Sequence, residues 1–567
     1  MKSAAVVALV ALVLALAWSA VVRAPLIANA PAHLDSDLAV DGLTLRDAVN
    51  GHWRWHYPGT PHMGSAAVLL SYPQALGYGA TPETLTSGGT VAYLLLIGGV
   101  FATAWLCRGP RVAAWSLVPL AFASTGTLWL TGRITGGHML AAAWSAWAWA
   151  ILAWDAKRQT RLSGGLVGGW FWLGWWHDSM FLMTIIGMVP ALCLVSFAWR
   201  GLLRRREVLG GLAAFVACAF IAGTPRTLGR LLEPYDAYDE QFAWSLQPEL
   251  LKEHSRILLL DCLPRLVAGH RLPGLEADPD PDLLGGGAPV ARAGRPGTVG
   301  VAAVATTALG LGTFAAGFLA LAWRAVRRPS EAEKARALEE RAREMVLQNR
   351  PNVIVQRFRF SPPPWTADRA VALGLLVTST ALLAAFVVNR NIFNSDNYRY
   401  LVLLLIPGAL GFGALMDALA SRATGGKVAA AGIATAFALA FAADASAWYR
   451  RLGWIDDRWT VVRRAVDDPA LRWLNDHPEV EVFAAGYWDA YRLAFLADRP
   501  VKGAPHPIYP NRFPEWSRDL PGGRPTILIA RSSPEDQRFL QQALSEGGRV
   551  LFHERGTTVA TWPVGSK

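Results

Sequence analysis

Apolar residues in this chain come in long unbroken runs. Residues 3–22 carry no charge and are long enough to cross a bilayer as a helix. Ten more uncharged apolar runs follow, at 90–106, 112–130, 139–154, 164–176, 179–199, 208–223, 299–323, 371–388, 401–416 and 428–442. Each reads as a membrane helix, so the expectation is about eleven spans. The 164–176 run is short and is expected to tilt or turn back within the bilayer. For the first run the alternative is a cleaved leader ending near Ala28-Asn29-Ala30. That run exceeds a usual leader core, and Pro31 would follow the cut. The pattern changes near residue 445. Strand-like stretches at 481–485, 525–530, 549–553 and 557–562 accompany a helical stretch at 533–546 that opens on Ser-Pro-Glu. The predicted fold is a polytopic α-helical membrane protein over residues 1–444, with a small C-terminal α/β soluble domain over 445–567.

Composition agrees and removes other classes. Of 567 residues 53% are hydrophobic and 17% charged, against ~25% charged in soluble globular chains. Disordered, collagen-like and disulfide-scaffold chains are excluded. The net charge of +11 raises the question of a nucleic-acid partner. The basic residues instead fall in alternate short connections: Arg108 and Arg111; Lys157, Arg158 and Arg161; Arg200 and Arg204 to Arg206; Arg324, Arg327 and Arg328; Arg422 and Lys427. That is the positive-inside pattern, and it predicts the N-terminus inside and the C-terminus outside. No nucleic-acid footprint is present. Three larger segments are then outside: 23–89, 224–298 and the C-terminal domain. The later half of 224–298 is rich in Pro, Gly and Asp and is expected to be mobile, a lid for a site below it. Residues 329–368 alternate Glu with Arg or Lys and read as an amphipathic segment at the inner surface. Cys107, Cys193, Cys218 and Cys262 offer no outer pair and no CxxC motif.

The runs are nearly free of ionisable groups, which weighs against a transporter or flippase. Polar residues cluster instead at the predicted outer ends of the spans. They are the stretch from His33 to Leu43, which holds Asp37; the stretch from Gly51 to Ser65, which holds Arg54, His56 and Tyr57; Gly136-Gly137-His138; Trp175-Trp176-His177-Asp178; and Asn394 to Leu401, which holds Arg399 and Tyr400. Several distant stretches at one level of the membrane are what an active site facing one side requires. Each has a plainer reading. Asp37 and Asp178 suit helix caps, and Arg399 suits a lipid-headgroup anchor. His52, His56 and His62 are more often solvated than metal-binding. Trp170, Trp172, Trp175 and Trp176 suit interfacial anchors. A non-catalytic scaffold with a partner-binding C-terminal domain is a further alternative.

Asp37 followed by Ala39-Val40-x-Gly42-Leu43, and then the Gly51 to Ser65 stretch, resembles the first outer loop of the C-class polyprenyl-phosphate-dependent glycosyltransferases. This is the superfamily of the protein mannosyltransferases and the lipid A aminoarabinose transferase. Gly174-Trp175-Trp176-His177-Asp178 resembles a second loop motif of that family, and Arg399-Tyr400-Leu401 followed by Pro407 a late helix start. The stretch from Tyr487 to Leu496 resembles a soluble tail of its bacterial members. The resemblance implies inverting transfer of a sugar from a polyprenyl-phosphate donor to a lipid, glycan or protein acceptor, in the inner membrane of a bacterium with the site facing outward. Asp37 matches the Asp of the family's Asp-Glu-Ala motif, and Leu38 stands where the Glu is usual. Asp37 is then the expected base and Asp178 a second acidic or orienting group. The leaving phosphate needs a fixed positive charge, which an arginine fork supplies. Arg399 is the best-placed candidate, with Arg54 and Arg390 next. Tyr400, His56, Tyr57 and His177 complete the expected substrate-binding set. The scheme requires no cofactor, and a divalent metal stays open as an alternative.

Overall fold

The computed structural model describes residues 2–132, 134, 137–158, 160–198, 205–232, 243–270, 301–327, 331, 365–392, 394–422, 424–508, 511–518, 520 and 525–563. Among the described residues each apolar run lies mostly on helix. Among the described residues seven helices are long and apolar enough to cross a membrane: Ser3–Ala28, Pro82–Arg108, Val208–Gly229, Val304–Val326, Thr366–Val388, Asp396–Ala420 and Thr424–Arg451. The run at 112–130 is not one straight span. Pro110–Ala121 and Thr125–Thr131 meet at 84°. Ser124 makes the corner: its hydroxyl accepts from the Thr127 amide and donates to the Leu266 carbonyl.

Of the eleven expected spans, seven therefore qualify by length and composition among the described residues, or eight with the bent pair. The other three runs form His138–Arg158, Arg161–His177 and Phe181–Ala198. These are shorter or richer in Trp and polar residues, and they pack on the longer helices. Arg161–His177 lies against Arg205–Leu232 with their backbones nearly touching. A Cβ at Gly164 would stand 2.6 Å from the Gly211 carbonyl oxygen, and one at Gly168 would stand 2.3 Å from that of Phe215. This is the close approach that a Gly-x-x-x-Gly spacing permits between membrane helices. Trp144 and Trp170 stack at 4.2 Å, and each indole donates to the other's carbonyl.

Several predicted boundaries move. Segment 23–89 is not an open loop: it holds Ser36–Val49, the β1 (His56–Tyr57) and β2 (Thr60–Gly64) hairpin and Val68–Tyr78, and the next helix starts at Pro82. Segment 224–298 opens with the end of Arg205–Leu232. It continues through Pro248–Arg256, a π-helical turn Ile257–Cys262 and Leu263–Ala268. Its Pro/Gly/Asp-rich part, and most of the charged 329–368 segment, lie outside the described residues. The boundary expected at 444/445 falls inside Thr424–Arg451, so the C-terminal domain begins after Arg451.

That domain holds a five-stranded sheet among the described residues. β3 (Val482–Ala485) lies between β4 (Lys502–Pro505) and β5 (Ile527–Ala530), parallel to both. β7 (Thr557–Thr561) runs antiparallel between β5 and β6 (Val550–Glu554). The strands at 481–485, 525–530, 549–553 and 557–562 were legible in the sequence; β4 was not. Its Lys-Gly-Ala-Pro sequence lacks the branched and aromatic residues that mark strands.

The helix after β3, Tyr487–Leu496, packs on Ser36–Val49. Arg46 donates to the Ala494 and Phe495 carbonyls, at 3.3 and 2.8 Å, and lies over the Phe495 ring. A Cβ at Gly42 would stand 2.4 Å from that ring. Gly42→Leu is therefore expected to loosen the C-terminal domain, at the ~1–3 kcal/mol typical of overpacking. Limited proteolysis and thermal melting of the full chain in detergent check this. Unchanged protease resistance and melting temperature would show that this contact does not hold the domain.

Candidate active site

The site is built on a break in regular helix. Ser395–Leu404 is a 3₁₀ segment of 10 residues, where such runs seldom exceed about four. Asn394 starts it by accepting from the Asp396 amide, and the Asn397 side chain accepts from the Asn394 amide in return. With three residues per turn, Asp396, Arg399 and Val402 stack in one row. That row lines a small, partly enclosed cleft of about 20 Å³, together with Tyr398, Trp129, Leu130, His138 and Met139. The corner at Ser124 is what brings Trp129 and Leu130 to it.

Two arginines meet the ends of this segment. Arg265 is buried, donates to Asp396 Oδ1 at 2.9 Å and lies over the Tyr398 ring. The Tyr398 hydroxyl donates to the Gly126 carbonyl. Arg399 is half-buried, lies over the Tyr400 ring at 5.3 Å and makes a long contact, 3.5 Å, to the Tyr400 hydroxyl. Its Nε is buried with no hydrogen-bond partner among the described residues. Asp37 and Asp35 lie within electrostatic range of its guanidinium.

A second arm reaches the cleft through His138. Asp178 Oδ1 accepts from the Met180 amide, a turn-capping contact, and its Oδ2 is 2.9 Å from His138 Nδ1. The His138 ring meets the edge of Tyr400 at 5.3 Å. Asp178 is buried, so it faces the cleft by way of His138. Burial pushes its carboxyl up, but the charge and hydrogen bond of His138 outweigh this and hold it below the usual carboxylate range. His177 beside it is buried, and its Nε2 donates to the Gly137 carbonyl.

The third arm is Asp37. The cap of its helix is Asp35, which accepts from the Leu38 amide, so the Asp37 carboxylate is left half-buried at the first turn. Tyr487 donates to its Oδ1 at 2.7 Å, and Tyr57 donates to its backbone carbonyl at 3.0 Å. Leu38 points into the core, and Asp41, one turn on, is buried near Tyr57. Arg512 completes the group. Its Nε donates to the Tyr487 hydroxyl at 3.1 Å, and its Nη1 donates to Thr60 and to the Pro58 and Gly59 carbonyls.

Of the residues expected from sequence, Asp37, Asp178, Arg399, Tyr400 and Tyr57 belong to these connected groups. His56 is buried against Gly229 of Arg205–Leu232, where a Cβ would stand 2.1 Å from its ring. Arg54 is not in the cleft: it bridges Asp47 and Glu515 and so ties the first segment to the C-terminal domain. Arg390 is exposed just after Trp365–Val388, its amide bonded to the Ala243 carbonyl. Among the described residues no group of three His, Cys, Asp or Glu side chains is placed to hold a metal ion. Sequence reasoning missed Arg265 and Arg512 as site residues, and it quoted Asp396 inside the Asn394 to Leu401 stretch without giving it a role. It quoted His138 and Tyr487 inside motifs without giving either a role.

No family model matches the sequence, and no curated protein matches it. Among solved structures, ArnT from Cupriavidus metallidurans bound to undecaprenyl phosphate aligns over 97% of this chain and 97% of its own. The TM-score is 0.52 at 14% identity. This chain has an ArnT-like membrane fold. The Archaeoglobus fulgidus oligosaccharyltransferase AglB, in complex with an inhibitory peptide and a dolichol-phosphate, aligns over 98% of this chain and 74% of its own. There the TM-score is 0.46 at 13% identity. Coverage this complete means that the likeness to ArnT takes in the C-terminal sheet along with the membrane helices.

The Asp178–His138 pair yields a pH test. Asp178 has a lowered folded-state pKa, so its contribution to stability is present above the unfolded value of about 3.9 and is lost as pH falls through the folded value. Removing the partner leaves a buried charge uncompensated. His138→Gln should thus melt below wild type near neutral pH, with the gap closing as pH falls below about 4. A gap of the same size at both ends of the range would show that Asp178 is not the ionised partner.

Proposed function

We propose that the chain is a membrane-integral glycosyltransferase that moves a sugar from a polyprenyl-phosphate donor to a hydroxyl or amine acceptor. The observation that carries this reading is Arg399. It has a buried guanidinium nitrogen with no hydrogen-bond partner among the described residues, beside a small cleft, with a half-buried carboxylate, Asp37, in electrostatic range. A cation left without an ion pair next to an open space fits a phosphate ligand. The ArnT-like fold supports the choice of lipid phosphate, since that ArnT structure holds undecaprenyl phosphate.

In the proposed reaction the acceptor oxygen or nitrogen attacks the anomeric carbon, and the bond from that carbon to the phosphate oxygen breaks. The electron pair leaves on the polyprenyl phosphate, and Asp37 takes the acceptor's proton. Attack opposite the leaving group inverts the sugar carbon. Arg399 holds the leaving phosphate, with Tyr400 beside it, and the Asp178–His138 pair orients groups at the cleft wall. The scheme needs no cofactor. The proposed setting is the inner membrane of a bacterium, N-terminus inside, with the cleft and C-terminal domain outward, as the basic connections imply. The shorter helices would complete the crossing of the bilayer, making about eleven spans.

Two variants test the reading. Asp37→Asn should lower transfer at least ~100-fold, read by mass spectrometry of surface glycans and glycolipids in cells lacking the native chain and supplied with the variant. Arg399→Ala should weaken binding of undecaprenyl phosphate by the purified chain roughly tenfold or more, the scale of a charge-assisted hydrogen bond. Full glycan product with Asp37→Asn would remove the base and favour lipid-sugar transport. Equal binding by Arg399→Ala would remove the phosphate clamp.

A further inference from the structure

We propose that Tyr487, reaching over from the C-terminal domain, is a positioning residue for Asp37 and that Arg512 holds Tyr487 in that role. The proposal rests on the reading of Asp37 as the base. It follows that the transfer site is not complete within the membrane helices. The C-terminal domain supplies the contact that fixes the base.

The hydroxyl of Tyr487 has a single proton, and the direction of its bonds is set from both sides. Arg512 Nε can only donate, so the Tyr487 oxygen accepts from it and its proton goes to Asp37 Oδ1, at 2.7 Å. Arg512 is itself fixed by Thr60, by the Pro58 and Gly59 carbonyls and by its own amide, which donates to the Tyr491 hydroxyl at 2.6 Å. Burial, with the Asp37 charge next, pushes the Tyr487 hydroxyl well above the usual phenol range. It therefore remains a donor under all working conditions. Tyr57 meets the same residue at its backbone carbonyl. Asp37 is thus held at one carboxylate oxygen and at its backbone; among the described residues nothing hydrogen-bonds the second carboxylate oxygen, which is left to take the acceptor's proton.

Docking of the domain does not depend on this hydroxyl. Ser36 donates to the Tyr487 backbone carbonyl, Arg46 grips the Ala494 and Phe495 carbonyls, and Gly42 receives the Phe495 ring. Tyr487→Phe removes one oxygen and keeps the ring, its edge contacts with Trp488 and Tyr491, and all of those docking bonds. A base held in one orientation reacts faster than one that samples several, without a change in donor affinity.

The test is a double-mutant cycle in membrane vesicles from the native cells, which carry their own donor and acceptor, supplemented with increasing amounts of those cells' lipid extract. Tyr487→Phe is expected to lower the maximal rate about tenfold and leave the half-saturating amount of extract unchanged. Placed in the Asp37→Asn background, it is expected to cause no further loss in the residual rate, because its effect runs through the carboxylate. Melting temperature is measured for each variant. Three results overturn the proposal: an undiminished or raised rate in Tyr487→Phe; the same fold-loss in both backgrounds; or a loss matched by a fall in melting temperature. If Asp37→Asn alone is fully active, the base reading fails and takes the proposal with it. If Asp37→Asn loses the rate and Tyr487→Phe keeps it in full, only the proposal fails.

Discussion

Everything at the candidate site depends on one helix lying against another, Tyr487–Leu496 on Ser36–Val49. The contact is close because Gly42 has no side chain where the Phe495 ring sits. It is directional because Arg46 caps the carbonyl end of the partner helix. The last carbonyls of a helix have no partners of their own, and Arg46 supplies donors to two of them, those of Ala494 and Phe495. The same geometry puts the first residue of the partner helix, Tyr487, at the Asp37 carboxylate. A shift of one helical turn along either axis, about 5.4 Å, would separate these groups. The sheet behind Tyr487–Leu496 is therefore part of how the first segment is held.

The second constraint is the 3₁₀ form of the Ser395–Leu404 segment. A long 3₁₀ run has poorer hydrogen-bond geometry than an α-helix. Surrounding contacts keep it in place: the Asn394 and Asn397 capping pair, the Tyr398 hydroxyl on Gly126 and the Arg265–Asp396 ion pair. In an α-helix, residues three apart are offset by about 60°. In the 3₁₀ form Asp396, Arg399 and Val402 fall in line, and the line faces the cleft. The residues N-terminal to Gly269, in the segment read from sequence as a loop, matter here. They carry Arg265, which neutralises Asp396 so that Arg399 does not have to.

How much of this was legible follows from the type of signal. Apolar runs register hydration, so all the membrane helices were visible, but a run does not say whether it is straight. Nothing in 112–130 alone marks the corner at Ser124, which exists because Leu266, far along the chain, accepts its hydroxyl proton. Asp37, Asp178, Arg399 and Tyr400 stood out because charge and polarity are scarce around them. Arg265 and Arg512 did not, because each sits among other polar residues in segments that read as soluble or loop-like. Arg54 was singled out by its neighbours, His52, Trp53 and His56, yet its partners are Asp47 and Glu515. Local sequence could not supply Glu515, which is 461 positions away.

Charge pairing separates the arginines better than position does. Arg54, Arg265, Arg108 and Arg111 each have a carboxylate within ion-pair distance. Arg399 has two carboxylates, Asp37 and Asp35, in electrostatic range, but among the described residues neither comes within ion-pair distance of it. Asp37 is turned toward Tyr487 and Asp35 is used as a helix cap. A half-buried guanidinium in that position pays desolvation without a direct ion pair in return. The contacts that pull the two acids away are the same ones that dock the C-terminal domain and start the Ser36–Val49 helix. The positive charge at the cleft is thus a product of the fold as a whole: packing that orders the acids leaves the arginine available to an anion.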